Sequence, residues 1–438
     1  MLKQELSIRS SGRLPSAIST VLMIVVAFLL AGIAAPARAD QPKPSEALKQ
    51  VNKMAEAIDR ELDSGKIKPE ELEARLDSVV RFAAERAAGY RVADWKGDEL
   101  YALASLYQRA EQFQPAADAW RGYLGGAPKG EKGLNAMASQ VRCLIEVEKF
   151  DEATAALETL ERSMPLYRGS YVPLLIARIA LHKDLATAYH NLGQYEKTAR
   201  QARAGYMLMF QLGKREIEMM DPLNREARDH DQAALASLVI VSLHRVGRTN
   251  EAAEFRRQVE RSRFASPRML SVFQSELVAA NLINSNSPSI ALQRWLGATV
   301  YKPEDFKGKV VILHFWAMWS APSAEAFPRL RALEDKYGSQ DLVTISITRF
   351  YGRSDKEDDL KPEQEWKSLQ EFVKRYDVRH PIAVGREDDL TNDDHFSVIS
   401  LPTIVLVDRK GKIRAIRRGA GNWRALEKQV ARLIEEKE

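Results

Sequence analysis

The chain has 438 residues, of which 45% are hydrophobic and 29% are charged. This length and composition predict two or three domains with cores of their own and exclude a disordered chain. The formal net charge is +5. Without residues 1–39 it falls to +2, because this segment carries four basic residues and one acidic residue. So small a net positive charge gives no reason to expect a nucleic-acid partner.

Cys143 is the only cysteine, so the chain cannot form an intramolecular disulfide. Its neighbours Val141, Leu144 and Ile145 are apolar and helix-compatible, which is typical of a buried structural thiol. A redox role for this thiol is the alternative. Stability is therefore expected to come from packing.

Residues 1–39 have the order of a secretory signal. Three basic residues precede an apolar run over residues 17–35, and the small-residue stretch 37–39 offers a cleavage site before Asp40. The run is near the length that spans a bilayer, so an uncleaved N-terminal membrane anchor is the alternative. Both interpretations predict export of the remaining chain to the periplasm or cell envelope, with any membrane contact made through this segment.

Residues 42–280 show helical periodicity. Apolar residues recur at helical spacing over residues 42–92. Two blocks then repeat the same order of large, small and proline positions. Ala116 and Pro128 of the first block return as Ala153 and Pro165 of the second, each 37 positions later. Each block predicts a pair of helices closed by a proline.

These offsets resemble the tetratricopeptide repeat, in which a small residue lets the two helices of a pair approach closely. Residues 184–204 and 235–259 show the same layout, with Gly193 and Gly247 at the turn between helices. An extra helix is expected over residues 205–232. The resemblance implies a superhelix whose concave face binds a peptide or protein segment. The alternative is that these helices only support the C-terminal domain.

Residues 281–299 are predicted to be a linker leading into a C-terminal domain, because Asn, Ser and Pro cluster at its start. Residues 300–438 alternate between strand and helix signals, which predicts an α/β domain with a partly parallel sheet. Strands are expected over residues 309–316, 341–348, 380–384, 402–408 and 412–417, the last two joined by a hairpin turn. Helices are expected over residues 324–337, 362–376 and 423–437.

The stretch Gly308–Pro328 (GKVVILHFWAMWSAPSAEAFP) carries a family resemblance. It is similar to the signature of exported TlpA-like and ResA-like thiol-disulfide reductases, G-K-V-V-x-x-x-F-W-A-x-W-C-x-P-C-x-x-E-x-P. Leu401-Pro402-Thr403 resembles the cis-proline loop of the same family. The resemblance covers about the last third of the chain. It implies a thioredoxin-like α/β fold following the tetratricopeptide-like helical region.

The resemblance places Ser320 and Ser323 at the two redox-cysteine positions and Ala326 at the position of the active-site glutamate. Thiol-disulfide exchange needs a thiolate to attack and a second sulfur to resolve the mixed disulfide. A serine hydroxyl stays protonated at physiological pH and forms no stable bond to sulfur. We therefore expect a redox-inactive domain with no catalytic residue. Glu325, one position away, is expected on a different side of the helix.

The same resemblance implies that such a domain can still bind polypeptide after it has lost its redox residues. In thioredoxin-type domains, a groove beside the exposed tryptophan and the cis-proline loop docks extended polypeptide through backbone hydrogen bonds. We expect the partner protein or peptide to contact Trp319, Pro322, Leu401, Pro402 and Thr403.

Three alternatives stay open at this point. The fold alone suggests a thiol-disulfide oxidoreductase, which would need Cys143 to act. A serine hydrolase would need a histidine beside Ser320, and His314, the nearest in sequence, is expected in the core. Acidic residues with a histidine could bind a cation, but they lack the spacing of a calcium loop; they are Glu387, Asp388, Asp389, Asp393, Asp394 and His395. A solvated loop is expected there, with no metal and no cofactor.

Overall fold

The structure is a computed structural model that describes most of the chain. The described residues are 42–64, 66, 69–164, 172–211, 222–262, 265–290, 292–297, 301–385, 391–419 and 423–436. The predicted signal or anchor over residues 1–39 lies outside these ranges. None of the helices within them combines the length and the apolarity needed to cross a bilayer.

The chain up to Leu282 is helical where it is described. Its α-helices are α1 (Pro44–Asp63), α2 (Pro69–Ala87), α3 (Gly97–Arg109), α4 (Phe113–Leu124), α5 (Gly130–Glu146), α6 (Phe150–Ser163), α7 (Val172–Asn191), α8 (Tyr195–Leu208), α9 (Pro222–Arg245), α10 (Thr249–Glu260) and α11 (Pro267–Leu282). Successive helices from α1 to α10 pack on one another, and α11 packs on α9. Two clusters of buried apolar side chains meet at α7. A mostly helical N-terminal region is therefore confirmed.

Four hairpins among the described helices are closed by the same turn. Glu111, Glu148, Gly193 and Gly247 take left-handed φ angles of 55°, 60°, 71° and 78°. In each turn this residue's N–H bonds to the carbonyl three residues earlier, and the next N–H bonds to the carbonyl five residues earlier, at 2.8–3.1 Å. This is the Schellman pattern that ends many helices. The predicted positions of the two glycines are confirmed, and the same turn occurs with glutamate in the two preceding hairpins.

Part of the expected extra helix over residues 205–232 lies outside the described ranges, which omit residues 212–221. Residues 205–208 complete α8, and residues 222–232 form the first half of the 24-residue helix α9. The described residues of this stretch are therefore ends of long helices, apart from the short 3-10 helix Met209–Gln211. Pro165 also lies outside the described ranges.

The C-terminal domain contains a six-stranded mixed sheet in the order β1-β4-β3-β2-β5-β6. Its strands are β1 (Arg294–Leu296), β2 (Val310–Phe315), β3 (Leu342–Thr348), β4 (Ile382–Val384), β5 (Thr403–Val407) and β6 (Ile413–Arg418). Pairs β2–β3 and β3–β4 are parallel, and the other pairs are antiparallel. Its helices are α12 (Ala321–Tyr337), α13 (Pro362–Arg375), α14 (Thr391–His395) and α15 (Trp423–Glu435). The five predicted strands and three predicted helices are confirmed.

Two features of this domain differ from the expectations. Residues 281–299, predicted as a linker, contain strand β1, and Ser287 N donates to the Gly411 carbonyl at 2.8 Å in the β5–β6 turn. The acidic stretch predicted as a loop contains the short helix α14. Pairing with β4 orders β1, and α14 leads directly into Phe396, which is buried in the core beside β2. Tertiary contacts thus override a composition that favours turns.

The four strands β2 to β5 are buried on both faces. Helices α12 and α15 cover one face through contacts with Val310 and Ile312 of β2. The opposite face of β2 packs with Phe396 and with apolar residues from the stretch before β2. Full burial explains why β2 is apolar on both faces instead of alternating, with His314 as its one polar residue.

Charged side chains join the two regions. Arg424 of α15 pairs with Asp77 of α2 and with Glu111 in the α3–α4 turn. Arg418 of β6 pairs with Glu276 of α11. The turn after α11 is held to α7 by Asn284 Nδ2, which donates to the His190 carbonyl at 2.9 Å.

A partly buried ion pair in the helical region predicts a pH dependence. Arg178 Nε donates to Glu161 Oε1 at 2.8 Å, and His182 Nε2 lies 3.6 Å from the same oxygen. Burial raises the pKa of Glu161, but its hydrogen bonds and the charges of His182 and Arg178 outweigh this and lower it to about 2. A carboxyl with a lowered folded-state pKa stabilises the protein above its unfolded pKa and loses this effect as the pH falls.

We expect Glu161→Gln to lower the free energy of unfolding at pH 7 by up to about 3 kcal/mol, the equivalent of this shift. The difference from wild type should shrink as the pH falls from about 4.5 towards 2. Denaturant titrations across this range measure it, with the exposed Glu158→Gln on the same helix as control. An equal effect at every pH would contradict the assignment.

Candidate functional site

The site predicted from the sequence lies at the end of β2. This strand delivers Trp316 and the following residues to the edge of the sheet, and α12 begins directly after Ser320. Thr403 pairs with Phe315 across β2 and β5. The Leu401–Pro402 peptide, which is cis, therefore lies at the same end of the sheet.

Ser320 and Ser323 form a buried pair at the start of α12. Ser323 Oγ donates to Ser320 Oγ at 2.9 Å, and Ser323 N donates to the Ser320 carbonyl at the same distance. Ser320 is 6% exposed and Ser323 is fully buried. In the described structure the two hydroxyls thus bond to each other, without a histidine base. A nucleophilic serine needs such a base, so this geometry does not support hydrolysis.

Position 326, where the thiol-disulfide reductase signature has a glutamate, carries no acidic side chain in this protein. Ala326 is fully buried against α12 and sheet residues, whereas Glu325 is exposed. Because successive helix residues point about 100° apart, the Glu325 carboxylate cannot take the place of a side chain at position 326. The expectation that Glu325 lies on another side of the helix is confirmed.

The sequence did not predict a network of buried polar side chains that begins at His314 of β2. His314 Nδ1 lies 2.9 Å from Ser346 Oγ, and that oxygen lies 2.8 Å from His380 Nε2. Glu334 Oε1 is 2.7 Å from His380 Nδ1, although the angle is too poor for a hydrogen bond. Burial, and then the charge of His380, hold the pKa of His314 well below its usual value.

Ser346, His380 and Glu334 follow one another in this network as the serine, histidine and acid of a hydrolytic triad do. However, Ser346 and His314 have no exposed surface. No substrate can reach the Ser346 hydroxyl, so these side chains form a polar network within the core. The prediction that His314 is a core residue is confirmed. Four separate elements contribute the side chains, and no sequence spacing signals their contact.

The predicted partner-contacting residues divide into exposed and buried positions. Trp319 is 39% exposed, and Pro322 is also exposed. Leu401 is half-buried, whereas Pro402 and Thr403 are buried. Trp319 and Pro322 are therefore accessible from solvent, whereas the side chains of Pro402 and Thr403 are not.

Trp319 has aromatic and cationic neighbours. Tyr351 meets its ring edge to face at 5.6 Å, and the Arg353 guanidinium lies 5.7 Å from the ring centroid. The loop that carries both neighbours is held by Glu365, which is 2% exposed and accepts hydrogen bonds from Tyr351 N at 3.0 Å and Gly352 N at 2.8 Å. The loop beside Trp319 is therefore fixed at its start.

Cys143 lies in α5, in the helical region. It has no exposed surface, and burial raises the pKa of its thiol to about 12. A thiol that is neutral and inaccessible is a poor nucleophile. The prediction of a buried cysteine is confirmed.

The acidic stretch does not form a metal centre in its described part. Glu387, Asp388 and Asp389 lie outside the described ranges. Asp393 Oδ2 pairs with Arg349 Nε at 3.4 Å. Across the described residues, no three histidine, cysteine or acidic side chains converge as metal ligands would.

Comparisons with known proteins agree with the fold of this domain. Residues 283–416 match the model of the AhpC/TSA family. The chain is 31% identical over 110 residues to the thiol-disulfide oxidoreductase ResA of Bacillus thuringiensis, which covers 25% of this chain and 55% of that protein. It is 29% identical over 145 residues to the thiol-disulfide oxidoreductase YkuV of Bacillus subtilis, and this match covers 33% of this chain and 90% of that protein. The match thus spans just over half the length of the ResA protein.

Among solved structures, a thiol-disulfide isomerase from Corynebacterium glutamicum is 23% identical, with a TM-score of 0.31. The superposition covers 35% of this chain and 99% of that chain. The match to the AhpC/TSA family model and the curated relatives identify the C-terminal part of this chain as a thioredoxin-like domain that is similar to thiol-disulfide oxidoreductases.

The serine geometry predicts that a disulfide can be restored. In Ser320→Cys with Ser323→Cys, the sulfurs replace oxygens that lie 2.9 Å apart, so a small adjustment reaches the bond length of about 2.05 Å. We expect the folded double variant to lose two hydrogens on mild oxidation, as measured by intact mass. Single variants are the controls. A folded double variant that keeps all its thiols free would show that the site is misplaced.

Proposed function

We propose that the protein is an exported interaction protein whose thioredoxin-like domain does not catalyse thiol-disulfide exchange. The observation that carries this proposal is the buried Ser320–Ser323 pair. The pair occupies the start of α12, where exchange would need a thiolate and a resolving sulfur. The N-terminal sequence supports export to the periplasm or envelope.

The helical region is proposed to be the tetratricopeptide-like binding module. Its support is the 37-residue spacing of the two blocks and the shared turn that closes four hairpins in the described ranges. Stacked helix pairs of this kind present an extended surface to polypeptides. The partner is thus a protein or peptide, bound by the helical region and by the surface beside Trp319 and cis-Pro402.

The second candidate function is thiol-disulfide oxidoreductase activity, which the names of the relatives favour. In this chain it could use only Cys143, since no other cysteine exists. That thiol is buried, carries a raised pKa and has no second sulfur to resolve a mixed disulfide. Fold similarity does not carry the chemistry over when the reacting atoms are absent.

An insulin-reduction assay separates the two functions. We expect the wild-type chain to leave the rate of insulin reduction by dithiothreitol unchanged, because it holds no accessible thiolate. The Ser320→Cys, Ser323→Cys double variant is the matched positive control. Turnover by the wild-type chain that disappears in Cys143→Ser would establish the oxidoreductase instead.

A further inference from the structure

A cleft of about 630 Å³ lies between the helical region and the thioredoxin-like domain. One wall is the face of α7 that carries Asp184, together with the α3–α4 and α5–α6 turns. The other wall is β6 and α15. This volume falls in the range of ligand sites, which combine apolar surface with a few polar groups that fix orientation.

Most charged side chains that line the cleft form ion pairs between its two walls. Arg424 pairs with Glu111, and Arg432 Nη1 lies 3.8 Å from Glu148 Oε2, so one face of α15 contacts equivalent turns of two successive hairpins. Lys428 Nζ lies 4.0 Å from Glu148 Oε1. These side chains already have opposite charges as partners and are not free to recognise a ligand.

Arg417 on the domain wall is different. Its Nη2 donates to Gln429 Oε1 at 3.0 Å, but its Nε has no hydrogen-bond partner, and it forms no ion pair with any described carboxylate. Burial lowers the pKa of this guanidinium. An anion that reaches a partly buried cation without a counter-ion stabilises it strongly through charge-assisted hydrogen bonds.

Asp184 on the helical wall is the counterpart. It forms no hydrogen bond or ion pair within the described structure, although it lines the same cleft. Its side chain reaches the solvent of the cleft, yet the surrounding protein desolvates it and raises its pKa to about 6. A cation reaching this carboxylate would favour its charged form.

The face of α7 that carries Asp184 continues with Thr187 and Asn191, which line the cleft at the spacing of a helix face. Neither side chain makes a hydrogen bond within the described ranges. Amide and hydroxyl groups in this position match the donors and acceptors of a peptide backbone. The wall thus offers one anion followed by two neutral polar groups.

We propose that this cleft binds a short polypeptide segment that carries both charges, with its carboxylate on Arg417, its basic side chain on Asp184 and its backbone amides on Thr187 and Asn191. The thioredoxin-like domain thereby supplies one wall of the peptide site. This inference rests on the peptide-binding half of the proposed function and is independent of the redox half.

Isothermal titration of the purified full-length protein tests the site with a defined probe panel. The probes are blocked alanine hexapeptides with one Lys and one Glu, at every spacing and in both orders, with uncharged and singly charged peptides for comparison. We expect at least one doubly charged peptide to bind. Arg417→Gln and Asp184→Asn should each weaken it about tenfold, the loss of one charge-assisted contact. The exposed Asp59→Asn and Arg200→Gln are the matched controls.

A charge reversal separates recognition from support of the fold. Asp184→Lys should shift the preference from Lys/Glu peptides to Glu/Glu peptides, which a merely structural residue could not do. If this variant does not fold, Thr187→Val with Asn191→Ala replaces it and should weaken the selected peptide. The proposal is overturned if no panel member binds, or if binding is unchanged in Arg417→Gln and Asp184→Asn. Either outcome leaves the insulin result unaffected, so the two proposals fail separately.

Discussion

The C-terminal domain depends on the double burial of strand β2. This strand is hydrogen-bonded in parallel to β3 and antiparallel to β5, and apolar layers cover both of its faces. A shift of this strand by one residue would exchange its two faces and so separate each side chain from the layer on which it packs. The position of Trp319, the serine pair and the start of α12 follows from where β2 ends. The scaffold is therefore fixed by packing and not by the chemistry of the site.

This separation explains how the fold can persist with serines at the site. Serine fills nearly the volume of cysteine, and the hydrogen bond between the two hydroxyls satisfies both groups inside the core. Nothing in the packing of α12 requires sulfur. What changes is the reaction, since a hydroxyl in this place cannot supply the thiolate that exchange requires. The exposed Trp319 ring has Tyr351 as its aromatic neighbour and Arg353 as its cationic neighbour.

Much of the fold was predictable from the sequence, because apolar periodicity and turn residues report local structure. The strands and helices of the C-terminal domain, Gly193 and Gly247 at their turns, and the burial of Cys143 and His314 all followed from such signals. Strand β1 did not, because three residues at a sheet edge carry no alternation. The contact of His314 with Ser346 also escaped prediction, as did the cleft between Asp184 and Arg417. Each of these depends on residues that are distant in sequence and meet only after the chain has folded.

Reaction with an activated aromatic disulfide, followed by intact mass, tests the central claim most directly, because it detects any thiol able to enter exchange. The account predicts no adduct on the native protein and one adduct, on Cys143, once the chain is unfolded in denaturant. The buried thiol, with its pKa raised to about 12, gives the physical reason. Rapid formation of an adduct on the native protein would show an accessible, reactive thiol and would contradict a redox-inactive role.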